Sequence, residues 1–182
     1  MSFRISHPLH PIQQPIGSMD CVFACIAMAR GRASNAGVQH VRSHALSHGV
    51  TLAANGGVDL ALANIRRLAD LFGFATHNVG HGGLFLPLPF AAGGRPNPRG
   101  LDLLRSGLAR GVTILIGTMD NLTSSDNHAL AVFRLEGDLS RDGTRVCYVD
   151  PATGRTGCES YARMFFGAAS HVQDVFYVLA TR

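Results

Sequence analysis

Cys21 opens an apolar run, Cys21-Val22-Phe23-Ala24-Cys25-Ile26-Ala27-Met28, directly after Met19-Asp20. Gln13 and Gln14 stand just upstream, and Asn127-His128 and Asp150-Pro151 stand far downstream. Sulfur, imidazole, carboxylate and amide are the parts that acyl transfer through a thiol requires. A free thiol titrates near about 8.5 and is mostly protonated at neutral pH, yet the attacking species is thiolate. A helix N-terminus offers unpaired N–H groups and a partial positive charge of about half a unit, and both favour that anion. A nearby imidazolium adds to the effect. Cys21 is the candidate nucleophile because it stands at the start of a predicted helix. Cys25 lies one turn deeper, between Ala24 and Ile26, and is expected to be buried and inert.

His128 is the candidate base and Asp150 its orienter. The segment 129–135, the turn residues Gly137, Asp138, Asp142 and Gly143, and the segment 145–150 read as a β-hairpin. The midpoint of 128 and 150 falls inside that turn, so the two residues are expected nearly opposite each other on facing strands. Opposite residues share a face, with Cβ atoms about 5 Å apart. A carboxylate there fixes the tautomer of the ring and leaves its other nitrogen for the thiol. A slip of one residue would put the pair on opposite faces. Asp120, Asp126 and Asp142 compete for the orienting role, but all three fall in a loop or turn and are expected to be solvated. Asn127 adjoins His128 and is a candidate for positioning its loop. The tetrahedral oxyanion needs donors aimed at it. The backbone N–H of Cys21 is one, and Gln14, seven residues upstream, is the candidate for the second, with Gln13 as the alternative.

The elements that must position these residues follow from pattern. Residues 2–17 read as an extended lead-in punctuated by Pro8, Pro11 and Pro15. Ser18 or Asp20 is expected to cap a first helix running to about residue 30. Further helices are predicted over 36–48, 58–72 and 101–110. The third carries the clearest stripe, Leu60, Leu62, Ile65, Leu68 and Phe72, and the fourth turns Leu101, Leu104 and Leu108 inward. Between them, 80–100 is rich in Gly and Pro and holds the apolar run 84–90, read as a loop over the core, with a wall of the substrate cleft or a membrane-surface role as alternatives. After Gly111 the pattern changes to short apolar runs at 112–116, 129–135, 146–149 and 172–180, which read as strands, with 129–135 central. Helices first and strands second argue an α+β fold. One domain over 1–182 is expected: the lead-in over 1–17, a mainly helical lobe over 18–111 and a mainly β lobe over 112–182.

Composition narrows the function classes. The chain has 182 residues, 46% apolar and 15% charged, which is globular rather than disordered. Its formal charge is +4, but the arginines are scattered and no basic run marks a nucleic-acid surface. No apolar stretch approaches the roughly 20 residues of a membrane span, so no stable membrane insertion is expected. The first fifteen residues hold no signal-peptide core, so the chain is expected to be made in the cytoplasm. Cysteines at 21, 25, 147 and 158 form no close zinc-type pairs, and a reduced compartment is the simpler expectation. His40, His44 and His48 are spaced four apart on one helix face and read as a solvated stripe, with a metal site or a pH-sensitive interface as alternatives. His77 and His81 form a weaker pair. Gly56-Gly57, Gly82-Gly83 and Gly93-Gly94 read as turns, and neither a P-loop nor a GxGxxG run is present.

Together these residues resemble the papain-like cysteine peptidase superfamily, most closely its compact bacterial branches: the bacteriocin-precursor-processing peptidases and the plant-pathogen effector cysteine proteases. The shared order is a Gln, a Cys opening a helix, a strand beginning with His, then Asp-Pro after the next strand. Here those are Gln14, Cys21, His128 and Asp150-Pro151. The string from Cys21 to Met28 is similar to the effector version, in which an aromatic-Ala-Cys-x-x-Met run follows the nucleophile. The resemblance covers about residue 13 onward and is weak over 48–100. It implies a papain-like fold, with a helical lobe carrying the Cys packed on an antiparallel sheet carrying His and Asp. It also implies Cys21, His128, Asp150 and Gln14 as catalytic residues, no cofactor or metal, a protein or peptide substrate, and the setting of an exported virulence effector secreted without a cleaved signal. Two departures stand out. The family's glutamine usually lies six residues before the cysteine, where this chain has Pro15, and the residue after the nucleophile is Val22 rather than Trp or Gly. The same triad serves glutamine deamidases, transglutaminases and acyltransferases, and a non-enzymatic binding module on a degenerate peptidase fold is the further alternative.

Overall fold

A computed structural model describes residues 2–79, 98–119, 127–166 and 172–182 of the chain. The apolar run that begins at Cys21 forms helix α1 (Cys21–Ala29), and every residue from Cys21 to Met28 is buried. A helix apolar on all sides belongs in a core. Helix α2 (Asn35–Ser47) starts where Ser34 Oγ accepts the Gly37 amide at 3.0 Å, and it buries Val38, Val41 and Ala45. Helix α3 (Leu62–Leu71) buries Ile65, Leu68 and Ala69. Helix α4 (Pro98–Leu108) turns Leu101, Leu104 and Leu108 inward, as its spacing predicts. A short α5 (Tyr161–Phe165) follows much later.

The strands are β1 (Phe3–Ser6), β2 (Phe74–Asn78), β3 (Thr113–Met119), β4 (His128–Gly137), β5 (Arg145–Asp150), β6 (Arg155–Ser160) and β7 (Val172–Thr181). They form one seven-stranded antiparallel sheet in the order β2-β7-β3-β4-β5-β6, with β1 also on β4. The fold is thus α+β. Alternating residues divide its core in two. Ile114, Ile116, Ala129, Ala131, Val149 and Leu179 pack with α1, α2 and α3, while Leu115, Leu130, Val132, Val146, Tyr148 and Val178 pack with α4 and α5.

Several expectations are corrected. Helix α3 begins at Leu62 rather than 58, because Val58 bridges to Leu52 and Asp59 Oδ1 takes the Ala61 amide at 3.1 Å, holding that stretch as a loop. Neither Ser18 nor Asp20 caps α1: no side chain bonds its first turn, and Ser18 Oγ is buried without a partner. Strand β2, which the pattern did not predict, interrupts the mainly helical region and joins the sheet beside β7. The extended lead-in goes further than expected and pairs as a strand over Phe3–Ser6, with Phe3 opposite Gly137 and Ser6 opposite Arg134. The cysteines are not all free: Cys147 and Cys158, directly opposite on β5 and β6, form a disulfide. The run 84–90, His81, Asp120 and Asp126 lie outside the described residues. Among the described residues no helix is long and apolar enough to cross a membrane.

Strand β4 changes partners along its length. Residues 128–132 pair with β3, and residues 134–137 pair with β1. Phe133 falls at the change, and its carbonyl accepts the His7 amide at 2.9 Å. On the β5 side Val132 faces Tyr148 but Arg134 faces Cys147, so Phe133 is the extra residue of a β-bulge.

Candidate active site

Cys21 is the first residue of α1 and only 6% exposed. It lines a cavity of about 150 Å³ together with His128, Asn127, Met19, Val22 and Ile116. With no side chain capping α1, the N–H groups of its first turn face this end of the helix unbonded by any cap. Sealing the sulfur in the core would have disqualified it; instead it shares the cavity with the ring.

His128 opens β4, paired across the sheet with Gly117 of β3. Its Nε2 meets Asp150 Oδ1 at 2.7 Å, and its ring shares the cavity wall with Cys21, near enough for the sulfur to favour the protonated ring. Because Asp150 occupies Nε2, Nδ1 is the nitrogen left for the sulfur. The expected hairpin is present, with a different register. Ala131 faces Val149, and continuing that register sets Asp150 opposite Leu130, so His128 and Asp150 are a diagonal pair rather than a direct one. The bulge decides their common face. The pairing beyond it, Leu135 with Val146, would if carried through set Asp150 opposite Ala131 and three residues from His128, on the other face. Phe133 shifts the count by one and returns both side chains to one face.

Asp150 is itself held. Its Oδ1 accepts the Ala152 amide at 2.8 Å and its carbonyl the Gly154 amide at 2.8 Å, closing a tight turn after β5. Gly154 has φ +66, and a Cβ there would lie 3.0 Å from the Gln13 Cβ, so this turn packs against the lead-in. Burial opposes charge on the His128 ring, but the hydrogen bond to Asp150, the neighbouring Cys21 sulfur and the charges of both outweigh it, raising the ring to about 9. At neutral pH the ring therefore carries its proton, and a protonated ring beside the sulfur is the arrangement in which a thiolate nucleophile works. Cys25 is different: complete burial, then the charges of Cys21 and Asp150, push its thiol well up, and it lines no cavity edge with His128. Asp142 is an exposed turn residue paired with Arg141.

The two glutamines sit beside this assembly and do not line the cavity. The Gln14 amide nitrogen donates to the Pro151 carbonyl at 2.7 Å through the backbone, while its side-chain Nε2 donates to the Ser18 carbonyl and its Oε1 is buried without a partner. Gln13 Nε2 donates to the Ala152 carbonyl at 3.1 Å. Both therefore tie the lead-in to the Asp150 turn.

Sequence pattern did not reveal the cavity's other wall, a loop contributing Ala53, Asn55, Gly57, Val58 and Leu60. Three distant residues fix it. Asn64 of α3, 6% exposed, bonds the Thr51 amide and carbonyl and the Asp59 carbonyl. Tyr177 of β7 donates to the Leu60 carbonyl at 2.7 Å. Arg42 of α2 donates to the Gly56 carbonyl at 3.4 Å and pairs with Asp20, whose carboxylate is buried directly before the nucleophile. Asn64 inside an apolar stripe was the one visible signal. Among the described residues, Glu136, Cys147 and Cys158 are the one trio of metal-ligating side chains that converge, and both sulfurs are bound to each other.

No protein-family model matches this chain, and no curated protein sequence matches it either.

Proposed function

We propose that this protein is a cysteine peptidase of papain-like architecture that hydrolyses peptide bonds through Cys21, His128 and Asp150. The observation that carries the reading is the His128 ring, hydrogen-bonded to Asp150 and sharing one cavity with Cys21 at the mouth of a helix. The Cys21 thiolate attacks the scissile carbonyl and forms a C–S bond. Negative charge then develops on the carbonyl oxygen, within reach of the amides of the first turn of α1. Collapse breaks the C–N bond, with the His128 proton passing to the leaving amine. His128, now neutral, takes a proton from water, which attacks the thioester and releases the acid and the thiol. Asp150 holds the ring with one nitrogen towards the sulfur throughout. Gln14 serves in this scheme as the side-chain oxyanion donor once its amide turns from Ser18. The effector setting rests on the resemblance in the sequence.

The test is thiol labelling together with intact-mass analysis of a peptide mixture. Cys21→Ala is expected to abolish iodoacetamide labelling of the native protein and all turnover, and Cys25→Ala to do neither. Equal labelling of both single variants would defeat the assignment. Chain cleavage supports a peptidase, whereas a gain of one dalton on a glutamine or a transferred group would reassign the same triad to deamidation or acyl transfer.

A further inference from the structure

The far end of α1 from Cys21, about 14 Å away at 1.5 Å per residue, opens on a second cleft of different chemistry. Its volume is about 690 Å³, in the range of small-molecule sites. Arg30, Arg32, His40, His44 and Arg182 line it, over an apolar floor of Val41, Leu71 and Phe72. Among the described residues no acidic side chain lines it. Asp70 of α3 is bound to Arg182. The basic side chains come from three separate places: Arg30 and Arg32 at the end of α1, His40 and His44 on α2, and Arg182 after β7.

Two of the three guanidinium groups are fixed in advance. Arg30 donates to the Phe72 carbonyl and lies 4.4 Å over the Phe74 ring. Gly73 makes room for it: its φ is +69, and a Cβ there would stand 2.9 Å from the Arg30 Nη2. Arg182 is held by Asp70, and its amide donates to the Gly73 carbonyl at 3.2 Å. A guanidinium carries five N–H donors, so each retains several for a ligand. His40 and His44, both on the cleft wall, have nearly parallel rings with centroids 6.2 Å apart and planes 7° from one another. All sixteen basic side chains of this protein are arginine, the cation whose planar fork matches phosphate oxygens in pairs.

We infer that this cleft is a binding site for a compact small molecule carrying two or more phosphate groups. Three arginines around one cavity match a dense tetrahedral anion better than an extended acidic peptide, whose carboxylates are single charges spaced along a chain. The site is independent of Cys21.

Titration calorimetry of the intact protein with inorganic pyrophosphate tests it. Saturable one-to-one binding is expected, weakening as salt is raised. Arg32→Gln and His40→Ala, at exposed positions, should each weaken it, the arginine change by about tenfold. Arg145→Gln, on the far strand β5, should leave it unchanged and so reports whether overall charge alone is responsible. No saturable binding, equal loss in Arg145→Gln, or tighter binding of a hexaglutamate peptide than of pyrophosphate would each overturn the inference.

Discussion

The proton on His128 links the chemistry of the site to the stability of the protein. The folded ring titrates at about 9, above the ordinary histidine value near 6.5, so its charged form is stabilised by folding. That contribution is fully present below pH about 6.5 and is lost as pH rises through 9. Thermal melting across this window should show stability falling on the order of 1–3 kcal/mol, and the fall should be absent in His128→Gln. Turnover should decline above pH about 9, as the ring loses the proton it delivers to the leaving amine. Asp150→Asn keeps the shape and removes the charge that holds the ring. It should lower the rate about 10²- to 10⁴-fold and move the alkaline limit to lower pH, measured as a pH profile of kcat/KM. At this scale the sequence was informative where residue type alone restricts chemistry: Cys21, His128 and Asp150 are brought together as their order suggested. Gln14 was less legible, because the direction of a loop side chain depends on Ser18 and Pro151, contacts that no periodicity encodes. The Asp20–Arg42 pair under the nucleophile was hidden for the same reason.

Among the elements, two irregularities of the sheet aim the site. One is the bulge at Phe133, which sets the face shared by His128 and Asp150. The other is Gly117, the cross-strand partner of His128, where β3 shifts register against β7. A Cβ at Gly117 would lie 1.9 Å from the Asp174 carbonyl oxygen. Backbone cannot yield there as a side-chain tip could, so Gly117→Ala should cost about 3 kcal/mol, read as a lower denaturation midpoint. It should also impair turnover by displacing the start of β4. The long strands β3, β4, β5 and β7 and the striped helices were legible because each buries several apolar residues at its own period. Strands β1, β2 and β6 and helix α5 were not: each offers few buried apolar residues, and their pairing comes from neighbours rather than from pattern. The bulge left no trace in residue type. The Cys147–Cys158 disulfide stayed unread because it requires knowing that β6 exists and faces β5 in that register.

Across the whole molecule, segments distant in sequence are fastened to one another around the site. The disulfide closes a loop across a separation of 11 residues and fastens the hairpin whose turn presents Asp150. Reduction, or Cys158→Ser, should lower stability by about 3 kcal/mol; a melting scan with and without a phosphine reductant checks this, and the reductant should have no further effect on the Cys158→Ser variant. The order of the sheet has a different consequence. Strand β7 follows every other strand in the chain yet lies between β2 and β3, in the interior of the sheet. Translation therefore delivers Cys21 first, His128 more than a hundred residues later, and β7, which joins β2 to the rest of the sheet, after both. Until that strand threads into its slot, β2 lacks its partner strand and Tyr177 cannot anchor the wall at Leu60. Under the proposed chemistry, the thiol would therefore stay unarmed until β7 has taken its slot between β2 and β3.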